Sequence, residues 1–288
     1  MMKWQGNVLF ILPTGKMMTT EKILFSDLDG TLLNSEKNIS PEDLKAIKQL
    51  TASGHKFVIS TGRPLQSAIK ISERYGWNEE GYYISSYNGG LIYDCGNKQT
   101  IVRRPVPLPC VRYILDEAYK AGLHAHTYDD EYVVSERDTK ELWTYSKAIM
   151  VPGIVVPDVC KYLKEEPIKV IVICHESREI LERFREHMAP WCEGKLTTVF
   201  SSPILLEFEN PLSTKGFTVR YMCDHFNISI EDSIAVGDEE NDISMIKAAG
   251  LGVAMKNATE NTKAAADHIT VNDNDHSGIS EIINGFIL

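Results

Sequence analysis

The run Ile23-Leu24-Phe25-Ser26-Asp27-Leu28-Asp29-Gly30-Thr31 constrains the fold more than any other stretch of this chain. A short, mostly apolar strand ends in two carboxylates one residue apart, and a glycine turn follows at once. Side chains alternate along a strand, so Asp27 and Asp29 leave it in the same direction. Like charges held that close repel, and one pKa rises unless a cation lies between them. Asp and Gly also favour ordinary turns, so the motif gains its weight from what recurs downstream.

Strand and helix patterns alternate beyond it. Ser40-Pro41 predicts a helix start, with Ser40 as N-cap and Pro41 at the first helical position. Leu44, Ile47 and Leu50 fall on one face, and Gly54 ends the helix. Phe57 to Ser60 reads as a strand ending at Thr61-Gly62-Arg63, a helix runs to about Gly76, and Tyr82 to Ser85 is a third strand. This β-α-β-α-β opening predicts a parallel sheet covered by helices. After Asn88-Gly89-Gly90 the rhythm changes to hairpins mixed with helices, which predicts an antiparallel α+β insertion. The parallel rhythm returns from Ser213: a helix over about 214–226, a strand Ser233 to Val236 ending at Gly237-Asp238, and a helix over 242–249. The division is a peripheral leader at 1–20, a core at 21–91 and 206–288, and an inserted unit at 92–205.

Composition sets the outer limits. The 288 residues carry a net charge of −10, which argues against general nucleic-acid binding. No apolar run approaches the roughly 18–20 residues of a membrane span. Six scattered cysteines without a Cys-x-x-Cys pair signal neither zinc nor a disulfide framework and suit reduced thiols in a cytoplasmic protein. Oligomeric state is not encoded in any feature of the chain.

Four strand-end or helix-start signals remain: Asp27-x-Asp29-Gly30-Thr31, Thr61-Gly62-Arg63, Lys215-Gly216 and Gly237-Asp238-Glu239-Glu240-Asn241-Asp242. In an open parallel sheet, ligands bind beyond the carboxyl ends of the strands, where strand order reverses. Asp27, Asp29, Asp238 and Asp242 supply hard oxygen ligands for Mg²⁺. Thr61, the amide near Gly62 and Lys215 supply donors and positive charge for phosphate oxygens. Alone, Lys215 would read as a solvated helix-start residue. Arg63 either touches substrate or pairs with a core carboxylate. His124 and His126 share one strand face, and Lys169 opens a strong strand; both suit a packed or solvated role, or a reach toward substrate.

With the four motifs in order, the chain closely resembles the haloacid dehalogenase superfamily, in its Cof-like branch of phosphatases with a type-B cap. Asn88-Gly89 and Ala254-Met255-Lys256-Asn257-Ala258 match further segments of that branch, with Lys256 standing where glycine is more usual. The resemblance implies an α/β fold: a Rossmann-like parallel sheet core with an inserted α+β cap domain. It implies Asp27 as nucleophile and Asp29 as acid/base, with Mg²⁺ on Asp27, the Asp29 carbonyl and Asp238, and Asp242 as an outer acid. Phosphate binding falls to Leu28, Thr61, Gly62, Lys215 and Asn241, and possible substrate contacts are Arg63, Asn88, His126 and Lys169. The implied activity is hydrolysis of a small phosphorylated metabolite, a sugar phosphate or a cofactor phosphate. A phosphomutase, or an idle binding protein of the same fold, is the alternative.

Overall fold

The computed structural model describes residues 20–288. The leader expected at 1–20 lies almost wholly outside the described residues. The chain begins with β1 (Ile23–Ser26), α1 (Pro41–Ala52), β2 (Lys56–Ser60), α2 (Leu65–Arg74) and β3 (Tyr82–Ser86), followed by the hairpin β4 (Leu91–Asp94) and β5 (Gln99–Arg103). Next come α3 (Leu108–Lys120), β6 (His124–Tyr128), β7 (Val133–Ser135), α4 (Lys140–Ala148), β8 (Gly153–Val155) and α5 (Val159–Tyr162). Then follow β9 (Lys169–Ile173), α6 (Arg178–Cys192), β10 (Thr197–Ser202) and β11 (Leu205–Glu209). The chain closes with α7 (Lys215–Phe226), β12 (Ser233–Gly237), α8 (Ile243–Ile246), β13 (Leu251–Ala254), α9 (Glu260–Ala265), β14 (His268–Ile269) and α10 (Gly278–Phe286).

Two sheets organise these elements. The first has eight strands in the order β14-β13-β12-β1-β2-β3-β4-β5, parallel except for β4 and β5. The second has six, ordered β10-β11-β9-β6-β7-β8. From β1 the first sheet grows through β2 and β3 to one side and through β12 and β13 to the other. Strand order therefore reverses between β1 and β12, whose register pairs Ser26 with Val236.

Both faces of β1 are covered, which explains its continuous apolar run. Leu24 packs on one side with Ile47, Leu50 and Ile282, while Ile23 and Phe25 pack on the other with Val219, Met222 and Met245. Each fully buried side chain of this size contributes about 1.5–3 kcal/mol. Ser40 caps α1 as expected, accepting a hydrogen bond from the Asp43 N–H at 3.0 Å. Such a cap is worth about 1 kcal/mol.

The boundaries of the insertion differ from the expected 92–205. The hairpin β4–β5 extends the first sheet, β4 pairing antiparallel with β3, while β11 joins the second sheet beside β9. Alternation marks a strand without saying which sheet it joins. The chain crosses between sheets at residues 104–107 and again at 210–214. Among the described residues no helix is long and apolar enough to cross a membrane.

Candidate active site

At the carboxyl end of β1 the Asp27 N–H donates to the Val236 carbonyl of β12 at 3.0 Å, which ties Asp27 to the switch point. Lys215 opens α7, whose N-cap Thr214 accepts from the Phe217 N–H at 3.1 Å. Its buried ammonium donates to Asp27 Oδ1 and to Asp242 Oδ1, each at 2.5 Å. The other oxygen of Asp242 accepts the N–H groups of Asp238 and Glu239, at 3.0 and 3.1 Å. Asp242 therefore anchors both the lysine and the turn that carries Asp238. Asp238 in turn accepts a 2.6 Å hydrogen bond from the Thr31 hydroxyl.

One carboxylate oxygen each of Asp27, Asp238 and Asp242 lie within 4.8 Å of one another. Three carboxylates against a single ammonium leave excess negative charge in a buried place. Burial, and then the charges of Asp242 and Asp238, push Asp27 well above the usual carboxylate range despite Lys215. Burial, with Asp242 and Glu239, raises Asp238 to about 6. Burial alone would lower the Lys215 pKa, but Asp242 and Asp27 outweigh it and hold the proton. A divalent cation relieves this crowding, and the donors are hard oxygens, so the site fits Mg²⁺. Gly30 leaves room for the Asp238 carboxylate itself: its φ is +83°, and a β-carbon there would strike that group.

The Asp29 side chain stands apart from that triad. Arg63 grips it through Nε to Oδ2 and a terminal nitrogen to Oδ1, both at 2.6 Å, and Lys37 adds a 3.0 Å contact. Burial would raise its pKa, but the Arg63 hydrogen bonds and charge, then Lys37, prevail and lower it. Arg63 thus pairs with a core carboxylate, one of the two roles its position allowed.

Thr61 follows β2, and its hydroxyl accepts the Arg63 N–H at 3.1 Å. Its carbonyl accepts the N–H of Asn88, a residue in the left-handed region at φ 55°. Asn88 links outward through its amide nitrogen to Glu209 Oε1 at 3.2 Å, and receives Asn241 at 3.5 Å on its oxygen. Lys169 reaches across from the second sheet to the Gly62 carbonyl at 3.1 Å. The Leu28 side chain is buried in the core, so any contact with an anion falls to its main chain. His126 sits elsewhere: fully buried, 3.0 Å from the His124 ring and packed on Tyr145. A cavity of about 420 Å³ bounded by Leu65, Gln66, Arg103, Asp130 and Glu165 contains none of the triad.

Residues 24–283 match the family model described as haloacid dehalogenase-like hydrolase. The chain belongs to this family. It is 28% identical over 272 residues to the 5-amino-6-(5-phospho-D-ribitylamino)uracil phosphatase YcsE of Bacillus subtilis (strain 168), covering 93% of this chain and 96% of that protein. It is 26% identical over 283 residues to the pyridoxal phosphate phosphatase YbhA of Escherichia coli (strain K12), covering 93% of this chain and all of that one. The solved structure of a haloacid dehalogenase-like hydrolase from Bacteroides thetaiotaomicron superposes with a TM-score of 0.86 at 29% identity, covering 93% of this chain and 100% of that one. The protein is a phosphoric monoester hydrolase of the haloacid dehalogenase-like fold.

Within this hydrolase, sequence reasoning passed over several residues. Thr31 lay inside the opening motif without a role, yet it fixes Asp238. Lys37 was silent because nothing in its surroundings marks it as an Asp29 partner. Glu207 and Glu209 stand two apart on β11, the same spacing that drew attention to Asp27 and Asp29. They face Lys169 in register, Glu209 opposite Lys169 and Glu207 opposite Ile171.

Proposed function

We propose that this hydrolase is a Mg²⁺-dependent phosphatase that cleaves a small phosphorylated metabolite through an aspartyl-phosphate on Asp27. The observation that carries the reading is Lys215 bridging Asp27 and Asp242 inside a three-carboxylate cluster at the switch point. Asp27 and Asp238 would hold the cation, with the Asp29 carbonyl and Asp242 beside them. When bound, it neutralises the cluster and lets a phosphate dianion approach.

Asp27 attacks phosphorus with the oxygen that Lys215 does not engage, and the bond to the leaving oxygen breaks. The Asp29 carboxyl gives its proton to that alkoxide, then takes one from the water that hydrolyses the acyl phosphate. The Arg63 grip favours the ionised carboxylate, which suits the second half and opposes the first until the grip loosens. Thr61, the Gly62 and Leu28 main chain, Lys215 and Asn241 hold the transferring oxygens. The inserted unit acts as a cap that closes over the site and excludes water. The names of the two relatives support a cofactor or sugar-type phosphate as substrate. Six cysteines, none in a disulfide, support a reducing, cytoplasmic setting.

The test is phosphate release from a panel of phosphorylated metabolites. Asp27→Asn is expected to lose at least about 10³-fold in turnover, in line with removal of a nucleophile. Chelation with EDTA is expected to stop the wild type, and Mg²⁺ to restore it. Equal turnover by Asp27→Asn and wild type would overturn the nucleophile; turnover that survives chelation would overturn the metal.

A further inference from the structure

A second buried cluster roofs the phosphate-binding turn. Lys169, Glu207 and Glu209 are 1%, 3% and 1% exposed, all on the face of the second sheet that meets the first. Lys169 is fully committed: it donates to Glu207 Oε2 at 2.8 Å and to the Gly62 carbonyl at 3.1 Å, with Glu209 Oε1 at 3.7 Å. Glu207 is also satisfied, since its other oxygen accepts from the Ser201 hydroxyl at 2.7 Å. Glu209 is not. Its Oε1 accepts from Asn88, while its buried Oε2 has no N–H or O–H donor among the described residues and the Glu207 carboxyl stands beside the group. A buried polar atom left so is destabilising until a donor reaches it.

The position of this free oxygen matters. Asn88 ties Glu209 directly to the Thr61 carbonyl through its own N–H, and Asn241 reaches the same amide. Glu209 therefore stands one side chain away from residues that hold the phosphate in the reading above. The contacts Lys169–Gly62 and Glu209–Asn88 join the roof to the floor. A leaving group on a phosphate held by Thr61 and Asn241 would lie beside Glu209.

We propose that Glu209 determines specificity by hydrogen-bonding a hydroxyl of the leaving group, so that the substrate is a phosphomonoester of a polyol or sugar. The proposal rests on the phosphatase reading and narrows it. The surroundings argue for a neutral hydroxyl. Lys169 has no spare charge for an acidic leaving group, and Glu207 beside it repels one. Burial, then the neighbouring Glu207, raises Glu209 to about 8, so its carboxyl can donate as well as accept near neutrality. A hydroxyl answers either state, whereas an ammonium answers only the ionised one. The tyrosines nearby, Tyr87 and Tyr128, pack edge to face against each other rather than offering a flat surface for an aromatic ring.

The experiment compares kcat/KM for sorbitol 6-phosphate with that for phenyl phosphate, which carries no hydroxyl. Wild type is expected to favour the polyol ester. Glu209→Leu is expected to lower the ratio of the two constants by about 10–100-fold, chiefly through KM for the polyol ester. Glu209→Gln keeps volume and an acceptor, and is expected to recover part of the ratio. A merely structural role would depress both esters together and leave the ratio unmoved. An unchanged ratio in Glu209→Leu, or wild-type preference for phenyl phosphate, would overturn the proposal while the phosphatase reading stands. No turnover of either ester would overturn both.

Discussion

Two lysines are buried among the described residues, and each lies between two carboxylates. Lys215 contacts Asp27 and Asp242 at 2.5 Å each, in a cluster where Asp242 is fully hydrogen-bonded. Lys169 contacts Glu207 at 2.8 Å and Glu209 at 3.7 Å, and leaves one oxygen of Glu209 without a partner. The same pairing serves different ends. In the first sheet the excess negative charge is gathered in a spot that suits a cation. In the second sheet the ion pairs are nearly balanced, and what remains free is a single hydrogen-bonding atom.

The largest effects should come from breaking each cluster at its lysine. Removing one partner of a buried ion pair costs about 3–5 kcal/mol, because a charge is left buried and unpaired. Lys215→Met and Lys169→Met are therefore both expected to lower stability by that amount in urea unfolding. They should part company in turnover of phenyl phosphate. Lys215→Met is expected to lose about 10²–10³-fold, the cost of removing one donor to a transferring oxygen. Lys169→Met is expected to lose far less, since it touches the site only through the Gly62 carbonyl. Equal losses in turnover would break the division between a chemical lysine and a roofing one.

The two clusters also differed in how far the sequence revealed them. Asp27, Thr61, Lys215 and Asp238 each stand at a strand end or helix start, where a parallel sheet must bring them together, so topology alone predicts their meeting. Glu207 and Glu209 alternate with Leu206 and Phe208, and that pattern ordinarily means a charged face turned to water. Here the face is turned to the first sheet instead. Only the pairing of β11 with β9 opposes Glu209 to Lys169, and register between distant strands is not written in either strand. For the same reason the β4–β5 hairpin was expected in the insertion but belongs to the first sheet. The helix α4 was missed because its buried side chains are only Leu142 and Ser146, too few to mark an apolar stripe.

The carboxylate triad offers a second way to sharpen the contrast. Binding to the folded state alone at 100 times Kd stabilises by about 2.7 kcal/mol. For a chain of this size each kcal/mol moves Tm by about 2–4 °C. Saturating Mg²⁺ is thus expected to raise the melting temperature by several degrees over EDTA-treated protein. Asp238→Asn is expected to lose most of that shift. Glu209→Gln is expected to keep it, because Glu209 lies outside the carboxylate triad. A Mg²⁺ shift that survives Asp238→Asn would remove the triad from metal binding.

The smallest expected effect separates the regions by pH. His124 and His126 lie side by side in the second sheet, and burial depresses both, His124 to about 4 and His126 well below its usual value. Between the unfolded pKa near 6.5 and the folded value, the unfolded chain binds a proton that the folded chain refuses. Stability from these rings is present above pH 6.5 and is lost as pH falls toward 4. From pH 7 to pH 5 a histidine kept neutral gives up about 2 kcal/mol at most. The buried carboxylates Asp27, Asp238 and Glu209 carry the opposite sign, since their raised pKa values favour protons in the folded state. Comparing wild type with His124→Gln removes those shared terms. Urea unfolding at pH 7 and pH 5 is expected to show a smaller acid loss in the variant, because glutamine does not titrate. An identical loss in both proteins would place the acid sensitivity outside the histidine pair.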